Sequence, residues 1–183
     1  MDAYLYLRTE PGTTARVATT LPTLPGVRRA VVVVGAWDVL AILEGADLEQ
    51  IATTVLARVH QVEGVRRTLT VPVVPPDLLA PGGFGAPAPP ALIAGACYVH
   101  IQADPGAAPG IAERLSELED VSGVAVTGGT FDLLACVAQP WEVASGTILE
   151  RIQALPGVRS TSTLVSIAYE EPEEDRDQFS AWT

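Results

Sequence analysis

The sequence contains no lysine. All 11 of its basic residues are arginine, against 22 acidic residues, so the formal net charge is −11. Without lysine there is no side-chain amine to form a Schiff base or hold pyridoxal phosphate, and no P-loop lysine to bind a nucleotide phosphate. The acidic balance also argues against nucleic acid, which binds clustered positive charge. Lysine-based catalysis and direct nucleic-acid binding are therefore not expected.

Cysteine, histidine and long apolar runs are also scarce. Cys97 and Cys136 are too few for a disulfide framework, and both lie in apolar runs that favour buried, reduced thiols. His60 and His100 do not form a symmetric pair, and no HExxH, CxxC or GxSxG motif occurs. This inventory favours a protein without catalytic residues, metal or cofactor. Because no apolar run reaches 18 residues and the first residues lack a signal peptide's basic start, we expect a cytoplasmic protein with no membrane partner.

The chain instead repeats itself. Three sets of residues recur, the first two at an offset of 94 residues and the third at 93. They are residues 4–12 with 98–106, Gly35-Ala36-Trp37-Asp38 with Gly129-Thr130-Phe131-Asp132, and Thr68/Thr70 with Thr161/Thr163. A repeat marks the structural unit, and each copy is about the size of a minimal domain. The predicted organisation is a first module (1–74), a Pro/Gly-rich linker (75–95), a second module (96–169) and an acidic tail (170–183).

Each copy has the pattern strand, helix, strand, strand, helix, strand. Residues 3–9 alternate as a strand with two different faces, and Pro22 should loosen the last turn of the first helix. Two β-branched runs, 27–34 and 37–44, flank a tight hairpin at Gly35. The order predicts an α+β protein of two tandem ferredoxin-like βαββαβ units, each with both helices on one sheet face.

The helix-free face of each sheet must be covered. We therefore expect the two sheets to pair into a dimeric α+β-barrel-like arrangement, within one chain or by exchange between chains. As a flexible coil the linker would span roughly 25 Å, enough for pairing within one chain. The second helix of each copy carries a wide apolar stripe that we expect to be buried. The stripes are Leu48, Ile51, Val55, Leu56, Val59 and Val62, and Trp141, Ala144, Ile148, Leu149, Ile152 and Leu155.

The repeated segments resemble the effector-binding module of the Lrp/AsnC regulators. The resemblance rests on Arg8-Thr9-Glu10-Pro11-Gly12, Leu24-Pro25-Gly26-Val27, the glycine–aromatic–aspartate hairpins and the threonine pairs of each last strand. It implies an oligomeric sensor whose paired sheets form an α+β barrel, with small ligands, often amino acids, bound between subunits near the hairpin. Those regulators carry a helix-turn-helix ahead of this module. Here the first strand starts at Ala3, so no DNA-reading domain is expected.

The resemblance and the residue chemistry together suggest a ligand site. Its predicted members are Arg8, Gly35, Trp37, Asp38, Arg66, Thr68, Thr70, Gly129, Phe131, Asp132, Thr161 and Thr163. The helix-free sheet faces, where we also place the threonines, would present the interface residues Tyr4, Tyr6, Tyr98, His100 and Gln102. Each aspartate would meet an ammonium group beside its aromatic neighbour, and Arg8 or the Arg66–Arg67 pair would meet a carboxylate.

Each of these assignments has a structural alternative. The aspartates of the hairpins commonly bond local backbone N–H groups, and arginines after a helix often neutralise its C-terminal carbonyls. Likewise, the polar sheet face would suit a plain interface between sheets as well as a pocket. If a ligand binds, we expect the first copy to dominate, because it keeps Trp37, Arg8 and the double arginine.

Two functions remain open on this evidence. The leading hypothesis is a standalone, homo-oligomeric regulatory protein that lacks a DNA-binding domain of its own, binds a small-molecule effector and acts through protein partners. The effector would be an amino acid or a similar metabolite. The alternative is a dimeric α+β-barrel enzyme, of monooxygenase or haem type, using His100 with Tyr4, Tyr98 or Arg8.

Overall fold

The computed structural model describes residues 1–75, 78 and 88–168. Both copies have the expected βαββαβ order, which confirms the predicted fold class. The first copy consists of β1 (Asp2–Thr9), α1 (Thr14–Thr20), β2 (Val27–Val34), β3 (Val39–Glu44), α2 (Leu48–Ala57) and β4 (Val65–Pro72). The second consists of β5 (Cys97–Ala103), α3 (Ala108–Ser116), β6 (Val121–Val126), β7 (Leu133–Val137), α4 (Trp141–Gly146) and β8 (Val158–Ser166). A π-helical segment, Thr147–Ile152, continues α4.

Local sequence signals explain the helix ends. Pro22 lies in a 3-10 turn, Leu21–Thr23, directly after α1, as expected for a residue that cannot continue the backbone hydrogen bonding of a helix. Asp47 caps α2, because its carboxylate accepts a hydrogen bond from the Gln50 backbone N–H at 2.8 Å. Gly26 and Gly157, with φ of 88° and 89°, supply the left-handed residue that turns the chain into β2 and β8. None of the helices within residues 1–75, 78 and 88–168 has the length and hydropathy needed to cross a membrane.

The strands form one eight-stranded sheet that closes on itself. Its order is β4-β1-β3-β2-β8-β5-β7-β6. β2 joins β8 where Val33 pairs with Ser166, and the two ends of the sheet meet where Val73 pairs with Thr127. These two seams are equivalent under the sequence repeat. The predicted barrel is thus confirmed, and one chain is sufficient to form it.

Alternation along the strands separates three cores. Tyr4 and Tyr6 of β1 face the barrel interior, whereas Leu5 and Leu7 pack beneath the helices of the first copy. The second copy has its own core between sheet and helices, built around Ile101. The helix-free faces of both sheets are consequently buried against each other.

The end of the linker is part of this interior. Leu92 is 1% exposed and belongs to the barrel core. Ala88 accepts a hydrogen bond from the Val124 N–H at 3.0 Å, so the segment runs beside β6. A Cβ atom added to Gly123 would lie 2.8 Å from the Cα of Pro90, which shows how closely the two backbones approach. The described part of the linker therefore closes the barrel as well as joining the copies. The predicted tail over 170–183 lies outside the described residues.

The helical stripes are narrower than predicted. Ile51 and Val55 of α2, and Ala144 with Ile148 in the second copy, are buried as expected. Four other members of the stripes are wrong predictions, because each helix packs on the sheet through a single face and leaves its flanks in solvent. These are Leu48 (53% exposed), Leu56 (62%), Trp141 (46%) and Leu149 (59%).

Candidate functional site

The two copies meet at a tyrosine–histidine contact. Tyr6, in the middle of β1, and His100, in the middle of β5, are equivalent positions of the repeat. The Tyr6 hydroxyl lies 3.1 Å from Nε2 of His100, and both side chains are buried. A contact between equivalent positions must lie on the pseudo-two-fold axis that relates the copies.

Aromatic residues from the two hairpins surround this contact. Trp37 precedes β3 and Phe131 precedes β7 at equivalent positions, and their ring centroids lie 5.9 and 5.8 Å from that of Tyr6. The His100 ring stacks on Phe131 at 4.3 Å. Offset and edge-to-face arrangements of this kind are the favourable ones for aromatic rings. We call Tyr6, Trp37, His100 and Phe131 the axial cluster.

The axial cluster is uncharged at neutral pH. Burial lowers the pKa of His100 to about 4, because desolvation penalises the imidazolium form. Burial also raises the pKa of Tyr6 well above its ordinary value, with a smaller contribution from Tyr4. The pair therefore shares a hydrogen bond between a neutral imidazole and a phenol.

A cleft of about 220 Å³ opens beside the axial cluster. Its walls combine both hairpins with the sheet of the second copy and with Leu69 of β4. The lining residues are Ala36, Trp37, Leu69, His100, Gln102, Thr130, Phe131, Ser160, Thr161 and Ser162. On its exposed side, the Ser160 hydroxyl donates to Oε1 of Gln102 at 3.1 Å, and Nε2 of Gln102 donates to the Thr130 carbonyl at 3.4 Å.

Small side chains explain why the cleft opens toward the second copy. Ser160 and Ser162 of β8 occupy the positions that Arg67 and Leu69 occupy in β4. Leu69 packs against the barrel core, and the guanidinium of Arg67 lies 5.7 Å above the Trp37 ring. The equivalent space beside the first copy is consequently occupied by its own side chains.

Comparison with known sequences identifies the repeated unit. The family model of the Lrp/AsnC ligand binding domain matches residues 2–75 and again 96–176. The chain belongs to this family. An uncharacterized HTH-type transcriptional regulator of Pyrococcus furiosus is 29% identical over 72 residues, which are 38% of this chain and 48% of the relative. The chain thus spans about half the length of that curated relative.

A solved structure with the same architecture is that of a siroheme decarboxylase. The siroheme decarboxylase NirDL, crystallised with an iron-uroporphyrin III analogue, matches 92% of this chain and 71% of its own at a TM-score of 0.64. Its sequence identity is 11%, so this likeness shows the fold alone. The structure of Escherichia coli AsnC is 18% identical and covers 70% of this chain and 76% of that chain, at a TM-score of 0.38.

The two hairpin aspartates hold their own Lrp/AsnC domains together. Asp38 accepts a hydrogen bond from the Thr9 N–H at 2.8 Å, and Asp132 accepts one from the Ala103 N–H at the same distance. In both domains this carboxylate satisfies the last buried N–H of the first strand, beyond the point where the neighbouring strand can pair. Asp38 also forms an ion pair with Arg8 at 3.0 Å. Each carboxylate thus has a structural role, but its partner N–H lies 29 residues away on the neighbouring strand and is not the local turn N–H of the structural alternative.

The threonines lie on the opposite sheet face from the one expected. Thr68 pairs with Leu7 across β4 and β1, and Thr161 pairs with Ile101 across β8 and β5. Directly opposed residues share a face, so these positions, with Thr70 and Thr163, point to the helix side. Thr68 bonds to His60 at 2.9 Å. Thr161 accepts a bond from Gln153 at 2.7 Å, and it alone of the four threonines also lines the cleft.

The predicted glycines lie at the barrel seams. Gly35 has φ of 140°, and a Cβ atom there would lie 2.8 Å from Leu164 Cδ2 and 3.1 Å from the Thr163 carbonyl oxygen. A Cβ on Gly129 would lie 3.3 Å from Val71 Cγ1. Each glycine therefore lets one domain's hairpin approach the last strand of the other. The role of these two glycines is therefore to allow close packing between the domains.

None of the described arginines is among the residues that line the cleft. Arg66 is exposed, and its Nε lies 3.8 Å from Oε1 of Glu10. In the second domain, Nε of Arg159 lies 3.8 Å from Oδ1 of Asp104. Arg8 and Arg67 are exposed and are not among the lining residues, although the Arg67 guanidinium lies 5.7 Å from the ring centroid of Trp37, which is one of the walls. The structure thus brings together Trp37, Phe131 and Thr161 of the predicted ligand set, with His100 and Gln102 of the predicted interface.

Tyr4 and Tyr98 form a second pair of equivalent positions, where the linker enters the barrel. The Tyr4 hydroxyl donates to the Pro90 carbonyl at 2.8 Å, and the Tyr98 hydroxyl donates to the Ala91 carbonyl at 3.0 Å and accepts from the Ile93 N–H at 2.6 Å. Burial raises the pKa of both phenols. Their hydroxyls are therefore committed to the linker and are not available to assist His100.

Sequence reasoning missed half of the cleft. Leu69, Ser160 and Ser162 only alternate with, or follow, the residues of the predicted motifs. Ala36 and Thr130 were noted only as hairpin residues. The usable signal was the difference between the copies at equivalent positions. Within residues 1–75, 78 and 88–168, no cluster of three or more His, Cys, Asp or Glu side chains could hold a metal ion.

Proposed function

We propose that this chain is a regulatory module that binds one small effector of amino-acid size in the cleft beside the axial cluster. It does not transform the effector, and it acts through homo-oligomers and protein partners in the cytoplasm. The single observation that carries the proposal is the cleft itself: about 220 Å³, walled by Trp37 and Phe131 and edged by Gln102, Ser160 and Ser162. Apolar walls with a few converging polar groups are typical of small-molecule sites.

The size of the cleft limits the effector. Pockets for drug-sized ligands usually measure about 300–1,000 Å³, so this cleft suits something smaller. For an amino acid, the side chain would enter between the aromatic walls. The ammonium and carboxylate groups would remain on the exposed side, in water. Membership of a ligand-binding family and the likeness to an HTH-type regulator support a regulatory role.

The proposal is tested by titrating the purified protein with each of the twenty amino acids while following its melting temperature. A ligand at 100 times its Kd adds about 2.7 kcal/mol of stability. Ser162→Leu places in the second domain the residue that the first domain has, and should abolish the effect by filling the cleft. Ser116→Leu, the same substitution on an exposed helix end, is the matched control and should respond as the parent does. No shift with any amino acid, or an undiminished shift in Ser162→Leu, would contradict the proposal.

An enzyme is the second candidate, favoured by the buried Tyr6–His100 hydrogen bond. NirDL is a siroheme decarboxylase, but at 11% identity that chemistry does not transfer with the fold. The residues here do not fit a tetrapyrrole. Nε2 of His100 is 3.1 Å from Tyr6, its ring stacks on Phe131 at 4.3 Å, and the cleft is about 220 Å³. Protein purified from its native host with a haem, flavin or metal bound through His100 would favour the enzyme.

A further inference from the structure

We propose that the group entering the cleft is uncharged and planar, and that each chain binds one such group although it has two Lrp/AsnC domains. This inference rests on the proposed function and specifies its ligand. It follows from the charge of the lining, the shape of the walls and the differences between the two domains.

The lining offers no charge to pair with. Its ten residues include no Asp, Glu, Lys or Arg, and His100 is neutral at pH 7 because burial lowers its pKa to about 4. The nearby carboxylate of Asp38 already accepts from Arg8 and from the Thr9 N–H, and the exposed guanidinium of Arg67 lies over the Trp37 ring and not among the lining residues. A charged group taken out of water without a partner is strongly disfavoured. The cleft should therefore discriminate against anions and cations.

The walls favour a flat group with a polar edge. Trp37 and Phe131 face the cleft from the two hairpins, and aromatic faces pair best with other planar groups. Ser162 contributes a hydroxyl, and the Gln102 amide with the Ser160 hydroxyl contributes both donors and acceptors. An aromatic or conjugated amide satisfies both features.

The pseudo-two-fold axis would ordinarily make the two sides of the cleft equal. It passes through the contact between Tyr6 and His100, so every residue beside the second domain has a counterpart beside the first. Three counterparts are larger: Arg67 for Ser160, Leu69 for Ser162 and Arg8 for Gln102. Arg67 covers Trp37, Leu69 packs into the core, and Arg8 pairs with Asp38. Leu69 and Ser162, like Trp37 and Phe131, both line the cleft, so each chain has a single cleft across the axis, and the larger side chains narrow its first-domain side.

Three matched probes test the ligand class by isothermal titration calorimetry: benzamide, benzoate and benzylamine. They share a ring and differ in charge at neutral pH. Benzamide should bind with one molecule per chain, and about tenfold or more tighter than either ion, the penalty expected for burying an unpaired charge. Ser162→Leu should weaken benzamide binding by at least about tenfold, whereas Ser116→Leu should not. If Ser162→Leu does not fold, Ser160→Arg makes the same test at an exposed position.

The outcomes separate this inference from the proposed function. One outcome is that benzoate or benzylamine binds more tightly than benzamide and loses that binding in Ser162→Leu. This result would refute the inference that the ligand group is uncharged, but would support the cleft as the ligand site. Two benzamide molecules per chain would refute the single site. No benzamide binding at millimolar concentration would overturn the inference, and the amino-acid melting series would then decide the proposed function independently.

Discussion

Removing either hairpin carboxylate should destabilise the protein by a similar amount. Asp38→Ala leaves the Thr9 N–H without its acceptor, and Asp132→Ala does the same to the Ala103 N–H. Thr9 and Ala103 are 9% and 7% exposed, and both hydrogen bonds measure 2.8 Å. An unsatisfied buried N–H costs about 1–3 kcal/mol. The extra Arg8–Asp38 ion pair is partly exposed (45% and 27%) and adds about 0–1 kcal/mol.

Urea unfolding of the variants measures these losses from the shift of the midpoint at constant slope. Asp132→Asn keeps an oxygen that can accept the Ala103 N–H and should recover most of the stability. Arg8→Gln, which installs the residue found in the second domain, removes the ion pair but keeps the backbone acceptor and should cost much less than Asp38→Ala. The reasoning is refuted if either alanine variant unfolds at the parent's midpoint. A selective loss of ligand affinity in Asp38→Ala would instead support the ligand role predicted from the sequence.

Two further predictions concern the buried interior. The pKa of His100 is about 4 in the folded protein and 6.5 is its ordinary value, so the unfolded chain gains a proton first as pH falls. The free energy of unfolding should therefore decrease from pH 6.5 towards 4 by up to roughly 3 kcal/mol. His100→Gln should flatten that part of the melting-temperature profile, and a profile parallel to the parent's would contradict the prediction. Leu92→Ala should lower the free energy of unfolding by about 2–5 kcal/mol, because the Leu92 side chain is 1% exposed. Ile93→Ala should lower it much less, because Ile93 is 40% exposed. Equal urea midpoints for the two variants would mean that this segment joins the domains without stabilising the barrel.

The sequence was sufficient for the architecture because the features that determine it are local and repeated. Alternation in β1 placed Tyr4 and Tyr6 on one face and Leu5 and Leu7 on the other, as the structure has them. Because each of the two sheets has a helix-free face that must be buried, the sequence predicts that these faces pack against each other and form a barrel. Pro22 and the Asp47 cap marked helix ends through their own backbone chemistry.

Alternation alone could not determine the side on which the threonines of the last strands lie. The pattern Thr68-Leu69-Thr70-Val71 is compatible with either face, and only the pairing with β1 decides between them. In the structure Leu69 lies opposite Tyr6, so the apolar members fill the barrel and the threonines turn toward the helices. The packing of the described end of the linker could not be predicted either. Its proline and glycine content predicts a loop but does not predict that Leu92 enters the core.

The location of the cleft follows from a different use of the repeat. The sequence favoured the first copy as the binding site because it retained Trp37, Arg8 and the Arg66–Arg67 pair, a criterion that counts groups able to contact a ligand. A cleft also needs space, and space comes from small side chains. Ser160 and Ser162 provide it in the second copy, at positions where Arg67 and Leu69 remove it from the first. In a duplicated chain, the copy with the smaller side chains near the shared axis is therefore the better candidate for the open side of a cleft, even where the other copy has more of the family's motif.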